Sequence, residues 1–146
     1  MNLKPVLKTD EEEVLVANQE FYQALEKLDL ESMEAIWWHE DWAGCLHPGR
    51  ELLTGWEDIH DSWAAIFQST VAVRVIIRRP VVHVHGEAAW VCCLENVTIT
   101  QQDEFTTAVV EATNIFLRRA GQWRLAHRHT TLLPDQEPVG ASHTIQ

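Results

Sequence analysis

Apolar residues recur at helical spacing over the first seventy positions and switch to alternation beyond them. Ala17, Phe21, Leu25 and Leu28 share one helical face. Thr9 followed by Glu12 has capping-box spacing, which predicts a helix from Thr9 to about Leu28. Asp29 suits the N-cap of a second, shorter helix with Leu30, Met33 and Ile36 or Trp37 on its inner side. Trp42 to Leu46 reads as a short strand and His47-Pro48-Gly49 as a turn. Leu52 to Thr54 is a further brief strand. Thr54 and Glu57 repeat the capping-box spacing and predict a helix carrying Trp56, Ile59, Trp63, Ile66 and Phe67 inward.

After this the period is two. Val71 to Val84, Ala88 to Thr100, Val109 to Arg119 and Gln122 to Leu132 read as four antiparallel strands. The turns fall at Gly86, Gln101 to Glu104 and Ala120-Gly121. Helices gathered ahead of one strand meander predict an α+β fold. A strongly bent, mostly antiparallel sheet wrapped on three N-terminal helices would leave a cone-shaped pocket. Residues 1–9 read as a loose lead-in, 10–133 as the domain and 134–146 as a mobile tail.

Composition narrows the function classes. The net charge of −11 argues against nucleic acid, which demands a basic footprint. No apolar run approaches the roughly 20 residues of a membrane-spanning helix, and the first ten residues lack a signal-peptide core. Cys45, Cys92 and Cys93 are odd in number, and the adjacent pair points to opposite faces of a strand. Free thiols in a cytoplasmic protein are therefore expected, with no cysteine zinc site.

Phe21-Tyr22 with Ala24-Leu25, Asp29-Leu30, His47-Pro48-Gly49, Thr54-Gly55, and Trp123, Leu125, His127 and His129 at alternating positions form a recognisable series. Over residues 10–133 it resembles the SnoaL-like branch of the nuclear-transport-factor-2-like superfamily. From Gly86 to Thr131 it is also similar to the hub domain of calmodulin-dependent protein kinases. The resemblance implies the cone fold and two function classes. One is a cofactor-free isomerase, dehydratase or cyclase acting on a small carbonyl- or hydroxyl-bearing molecule. The other is a non-catalytic ligand-binding or assembly domain. Against ketosteroid isomerases, His47 stands at the position of the aspartate base and Asn114 at that of an aspartate oxyanion donor. Phe21 replaces the donor tyrosine, and Tyr22, one residue on, is expected to face elsewhere. The arginine positions of the kinase hub pocket carry Glu95, Asn114 and Thr130, so that cationic pocket is absent.

Strand parity supplies candidates independently. Glu95 shares a face with Val91 and Cys93, and Asn114 with Ala112 and Phe116. If both face inward, the wall is mainly apolar with a few polar groups, as small-molecule sites are. His47, Glu95 and Asn114 are the catalytic candidates; Phe21, Trp42, Trp63, Phe116, Arg128 and Thr130 are the candidate ligand contacts. Each has a structural alternative. His47 would cap its turn, Asn114 would satisfy buried backbone, and Glu95 would pair with Arg128. Strict alternation puts His127 and His129 on the outer face with Trp123 and Leu125; His83 and His85 share a face, and Glu111 lies outward. No carboxylate completes a metal set with these histidines. Trp90 and Trp123 on the convex face suit a homodimer interface.

Overall fold

A computed structural model describes residues 7–134. The expected lead-in and tail therefore lie outside the described residues except for 7–9 and Pro134. The elements run α1 (Asp10–Lys27), α2 (Leu30–Ile36), β1 (Gly44–Leu46), β2 (Leu53–Thr54), α3 (Trp56–Ser69), β3 (Ala72–His85), β4 (Ala88–Gln101), β5 (Glu104–Arg119) and β6 (Gln122–Leu132). Three helices pack on one open six-stranded sheet of order β2-β1-β6-β5-β4-β3. Among the named strands of the described residues, β1 and β6 alone pair in parallel. This is the α+β cone that the chain pattern predicts.

The helix starts show which local signals prevailed. Thr9 accepts from the Glu12 backbone N–H while the Glu12 carboxylate accepts from Thr9, so the first capping box forms. Asp29 caps α2 as expected. The second box does not form. Thr54 is committed to β2, opposite Gly44, and the N-cap is Gly55 at φ 96°, which a side chain would strain. Backbone carbonyls take the place of the missing cap: Gly55 N–H donates to Ala43 at 2.7 Å and Trp56 N–H to Glu40 at 3.0 Å.

Two strands differ from the alternation reading. β1 begins at Gly44; Trp42 sits in the preceding turn, 43% exposed. β5 begins at Glu104, because Gln101 pairs with Glu104 around a two-residue turn and the polar stretch before Val109 continues the ladder. The larger difference is in β6. The register with β5 shifts between Ile115 and Phe116, leaving Ala126 as an extra residue opposite the pair. A bulge of this kind inverts the phase of everything beyond it. Trp123 and Leu125 therefore belong to the buried face, whereas His127 and His129 lie outside with His127 half-buried and His129 exposed. Trp123 is thus core, not convex surface. A second register shift, between Arg78 and Val81, does the same in β3.

The core lies between α1, α3 and the concave face. Phe21, Met33, Trp37, Ile59, Val91, Phe116 and Leu125 are fully buried. Each large side chain of this kind contributes roughly 1.5–3 kcal/mol by leaving water. Trp37, bridged to Leu125 beside β6, anchors the exit of α2 to the sheet.

Candidate functional site

A connected group of polar side chains interrupts this core. α1 contributes Asn18 and Tyr22, four residues apart and hence on one face. β4 contributes Glu95, β5 Asn114 and β6 Arg128, all fully or almost fully buried. The downstream phase set by the Ala126 bulge is what turns Arg128 inward. Arg128 donates end-on to Glu95, Nη1 to Oε2 at 2.7 Å and Nη2 to Oε1 at 3.0 Å. Nη1 also reaches Asn114 Oδ1 at 3.1 Å. The Asn114 amide donates to Asn18 Oδ1 at 2.9 Å and to the Tyr22 hydroxyl at 3.0 Å. That hydroxyl donates in turn to Glu95 Oε2. Tyr22 therefore faces the network, against expectation, while Phe21 lies under it with its ring 4.8 Å from the Arg128 guanidinium carbon.

The charges in this network follow from their contacts. Burial works against the Arg128 cation, but the adjoining Glu95 carboxylate outweighs it and holds the guanidinium above its ordinary range. Burial pushes the Tyr22 phenol well up as well, so it is a neutral donor. Glu95 is accordingly engaged on both oxygens.

A cavity of about 180 Å³ opens beside the ion pair. Leu25, Trp63, Ile66, Val73, Val97 and Val110 supply apolar wall, with Glu95 and Arg128 at its inner end and Arg50 exposed at its rim. Its volume is below the roughly 300–1,000 Å³ that holds drug-sized ligands, so it fits a compact molecule.

His47 also lines this cavity, at the end of the segment leading out of β1. Its Nε2 is 2.9 Å from Ser62 Oγ, and that hydroxyl donates to the Ile59 carbonyl at 2.6 Å. With the Ser62 hydrogen committed, Nε2 must be the donor, which leaves the lone pair on Nδ1. The Trp63 ring holds the imidazole edge-on at 4.6 Å between centroids. Burial, with Arg128 and Arg50 adding to it, lowers the His47 pKa to about 4. The imidazole is neutral at physiological pH. Cys45 Sγ lies 3.8 Å from Nε2, and burial pushes its thiol up to about 12, so it is no thiolate nucleophile.

The sequence candidates thus separate. His47, Glu95, Trp63 and Arg128 meet at the cavity. Asn114 and Phe21 belong to the network and packing behind it. Phe116 is core. Thr130 donates to the Leu46 carbonyl and ties β6 to β1. Trp42 lies away from the mouth, with Arg119 stacked on its ring at 5.2 Å. Sequence reasoning missed Ser62, Tyr22 and Asn18. The pairing of Asn18 with Tyr22, two polar groups on an apolar helix face, was a usable signal; Ser62 had none.

The comparisons with known proteins agree with this architecture. The SnoaL-like domain family matches residues 14–135. The chain belongs to the SnoaL-like family. Among solved structures, a candidate dehydratase of the NTF2-like family from Streptomyces avermitilis is 30% identical over 86% of this chain and 97% of the other, with a TM-score of 0.80. A candidate calcium/calmodulin-dependent protein kinase type II association domain from Thiobacillus denitrificans is 26% identical, covering 90% of this chain and all of the other, with a TM-score of 0.69. The F-box protein SKIP8 of Arabidopsis thaliana is 23% identical over 86% of this chain. This SnoaL-like chain spans about half the length of that curated relative, 53%.

Proposed function

We propose that the cone binds a compact, mostly apolar molecule bearing a carbonyl or hydroxyl group and moves a proton on it, as an isomerase, dehydratase or cyclase without a cofactor. The observation that carries this reading is His47. Its tautomer is set by Ser62, its ring lines the cavity, and its basic lone pair is on Nδ1, where the Cys45 sulfur at 3.9 Å is its one neighbouring polar side chain among the described residues. A base with a pKa near 4 is weak, but at neutral pH it is wholly in the accepting form. The likeness to a candidate dehydratase at 30% identity supports the same class.

The test is a thermal-shift screen of small ketones, hydroxyketones and lactones, followed by turnover assays on each stabilising compound. His47→Gln should retain binding and lose at least about 100-fold in turnover, the usual scale of an acid/base group. Turnover unchanged in His47→Gln would overturn the assignment.

A second reading rests on a specific observation. Glu95 is closed off by Arg128, and Asn114 stands behind the cavity. Two of three catalytic candidates are thereby withdrawn, which favours a binding or assembly cone without chemistry. Ligand stabilisation with no turnover of any bound compound would select it.

The outer sheet face supports a homodimer. Ile76 and Val81 are exposed there beside the half-buried Trp90 and Leu94, although Trp123 no longer contributes. Three free thiols among the described residues support a reducing compartment such as the cytoplasm. Sedimentation equilibrium of the wild type and Ile76→Glu tests the dimer; a monomeric wild type would end it.

A further inference from the structure

Five buried side-chain polar atoms have no partner among the described residues, and two of them belong to residues that line the cavity beside His47: Arg128 Nε and Trp63 Nε1. The other three, on Trp37, Asn96 and Trp123, lie elsewhere. An unsatisfied buried donor costs about 1–3 kcal/mol, so two at one cavity call for an acceptor.

The Arg128 geometry says which acceptor. A guanidinium is planar and donates along separate edges. Glu95 occupies the end-on edge, formed by Nη1 and Nη2, and Asn114 takes a further Nη1 hydrogen. Nε–H, on the remaining edge of the guanidinium, has no partner among the described residues. Its charge, however, is already matched by Glu95. A ligand carboxylate on the open edge would share one cation with a buried carboxylate close by, and like charges at that range oppose each other. Arg50 at the rim is exposed, and solvent screens it. A neutral oxygen meets no such opposition. Trp63 offers its indole N–H and can only donate.

We propose that the open guanidinium edge of Arg128 receives the carbonyl oxygen of a neutral ligand and that the Trp63 indole N–H receives a second acceptor oxygen on it. The ligand class is then neutral compounds with two acceptor oxygens, such as lactones, esters and diketones. Arg128 is the carbonyl-polarising group that Phe21 and Asn114 do not supply: as His47 removes a proton from the adjacent carbon, the C–H pair becomes the C–C π bond, the C=O π pair moves onto the oxygen, and the growing charge there is held by Nε–H. This rests on the proposed proton-transfer reading of the same cavity.

The experiment is a ¹H–¹⁵N NMR titration of the full chain, following the Arg128 Nε–H and Trp63 Nε1–H resonances. The neutral probes are δ-valerolactone and acetylacetone; the anionic probes are valerate and acetoacetate. Both resonances should shift with the neutral probes, which should bind at least about 10-fold tighter than the anions. Trp63→Phe should weaken the neutral probes about 10-fold. Glu95→Gln, which frees the Arg128 charge, should reverse the order so that the anions bind tighter. Neutral binding with neither resonance moving, or tighter anion binding by the wild type, overturns the inference while cavity binding stands. If no probe shifts any cavity resonance, the proposed function fails and the inference with it. The wild-type titration decides the matter even if Glu95→Gln does not fold.

Discussion

The Glu95 carboxylate closes on both terminal nitrogens of Arg128, at 2.7 and 3.0 Å, with neither side chain reaching solvent. Such a pair is a poor source of net stability but is costly to break, because the survivor is left as an unmatched buried charge. Arg128→Met alone should lower unfolding free energy by about 3–5 kcal/mol, whereas Arg128→Met with Glu95→Leu should cost much less. Urea denaturation of the two variants checks this; equal losses would mean that the charges are not coupled.

His47 ties stability to pH. Burial, Arg128 and Arg50 lower its folded pKa to about 4 from an ordinary 6.5. Between these values the unfolded chain binds a proton that the folded protein refuses. The His47 contribution is therefore complete above about pH 6.5 and is lost as the pH falls towards 4, by at most about 3 kcal/mol. Melting temperatures from pH 7 to pH 4 should fall less steeply for His47→Gln than for the wild type.

Gly44 is fixed by a neighbour. A Cβ built there would stand 2.4 Å from His127 Nδ1. Gly44→Ala should cost about 1–3 kcal/mol, the usual price of overpacking. Most of that should return in the double variant with His127→Ala, since the obstructing ring is then gone. Thermal melts of the three variants give the coupling, and additive losses would refute it.

The two threonines with identical cap spacing should behave differently. Thr9→Ala removes a formed capping box and should cost about 1 kcal/mol. Thr54→Ala touches no cap, because α3 starts at Gly55, and should stay within about 0.5 kcal/mol of the wild type. Helix content and melting temperature of both variants make the comparison direct.

Much of this was legible in the chain. The change of period near residue 70 carried the layer arrangement, and the inward phase of Glu95 and Asn114 followed from alternation along β4 and β5. What alternation could not carry was the Ala126 bulge, since nothing in Arg124-Leu125-Ala126-His127 marks one residue as surplus. The faces of Trp123 and Leu125 were misjudged for that reason alone. Tyr22 was misplaced because a helix face is wide: adjacent positions 100° apart can both reach a concave sheet, and Phe21 and Tyr22 both do, with ring centroids 4.9 Å apart. The His47–Ser62 contact joins a loop to a helix fifteen residues later and depends on tertiary docking, which local pattern does not encode.

Ala126 itself has no chemistry to offer, and the bulge that absorbs it lets the rest of β6 keep its faces. Excising that single alanine would leave Leu125 opposite Phe116 and His127 opposite Ile115 in an unbroken ladder, with Arg128 still turned to Glu95. What would be lost is the extra local bend and twist that a bulge gives a strand. Descent with insertions and deletions can therefore drop this residue without turning the strand over, whereas a residue gained or lost where no bulge absorbs it would reverse the faces beyond it.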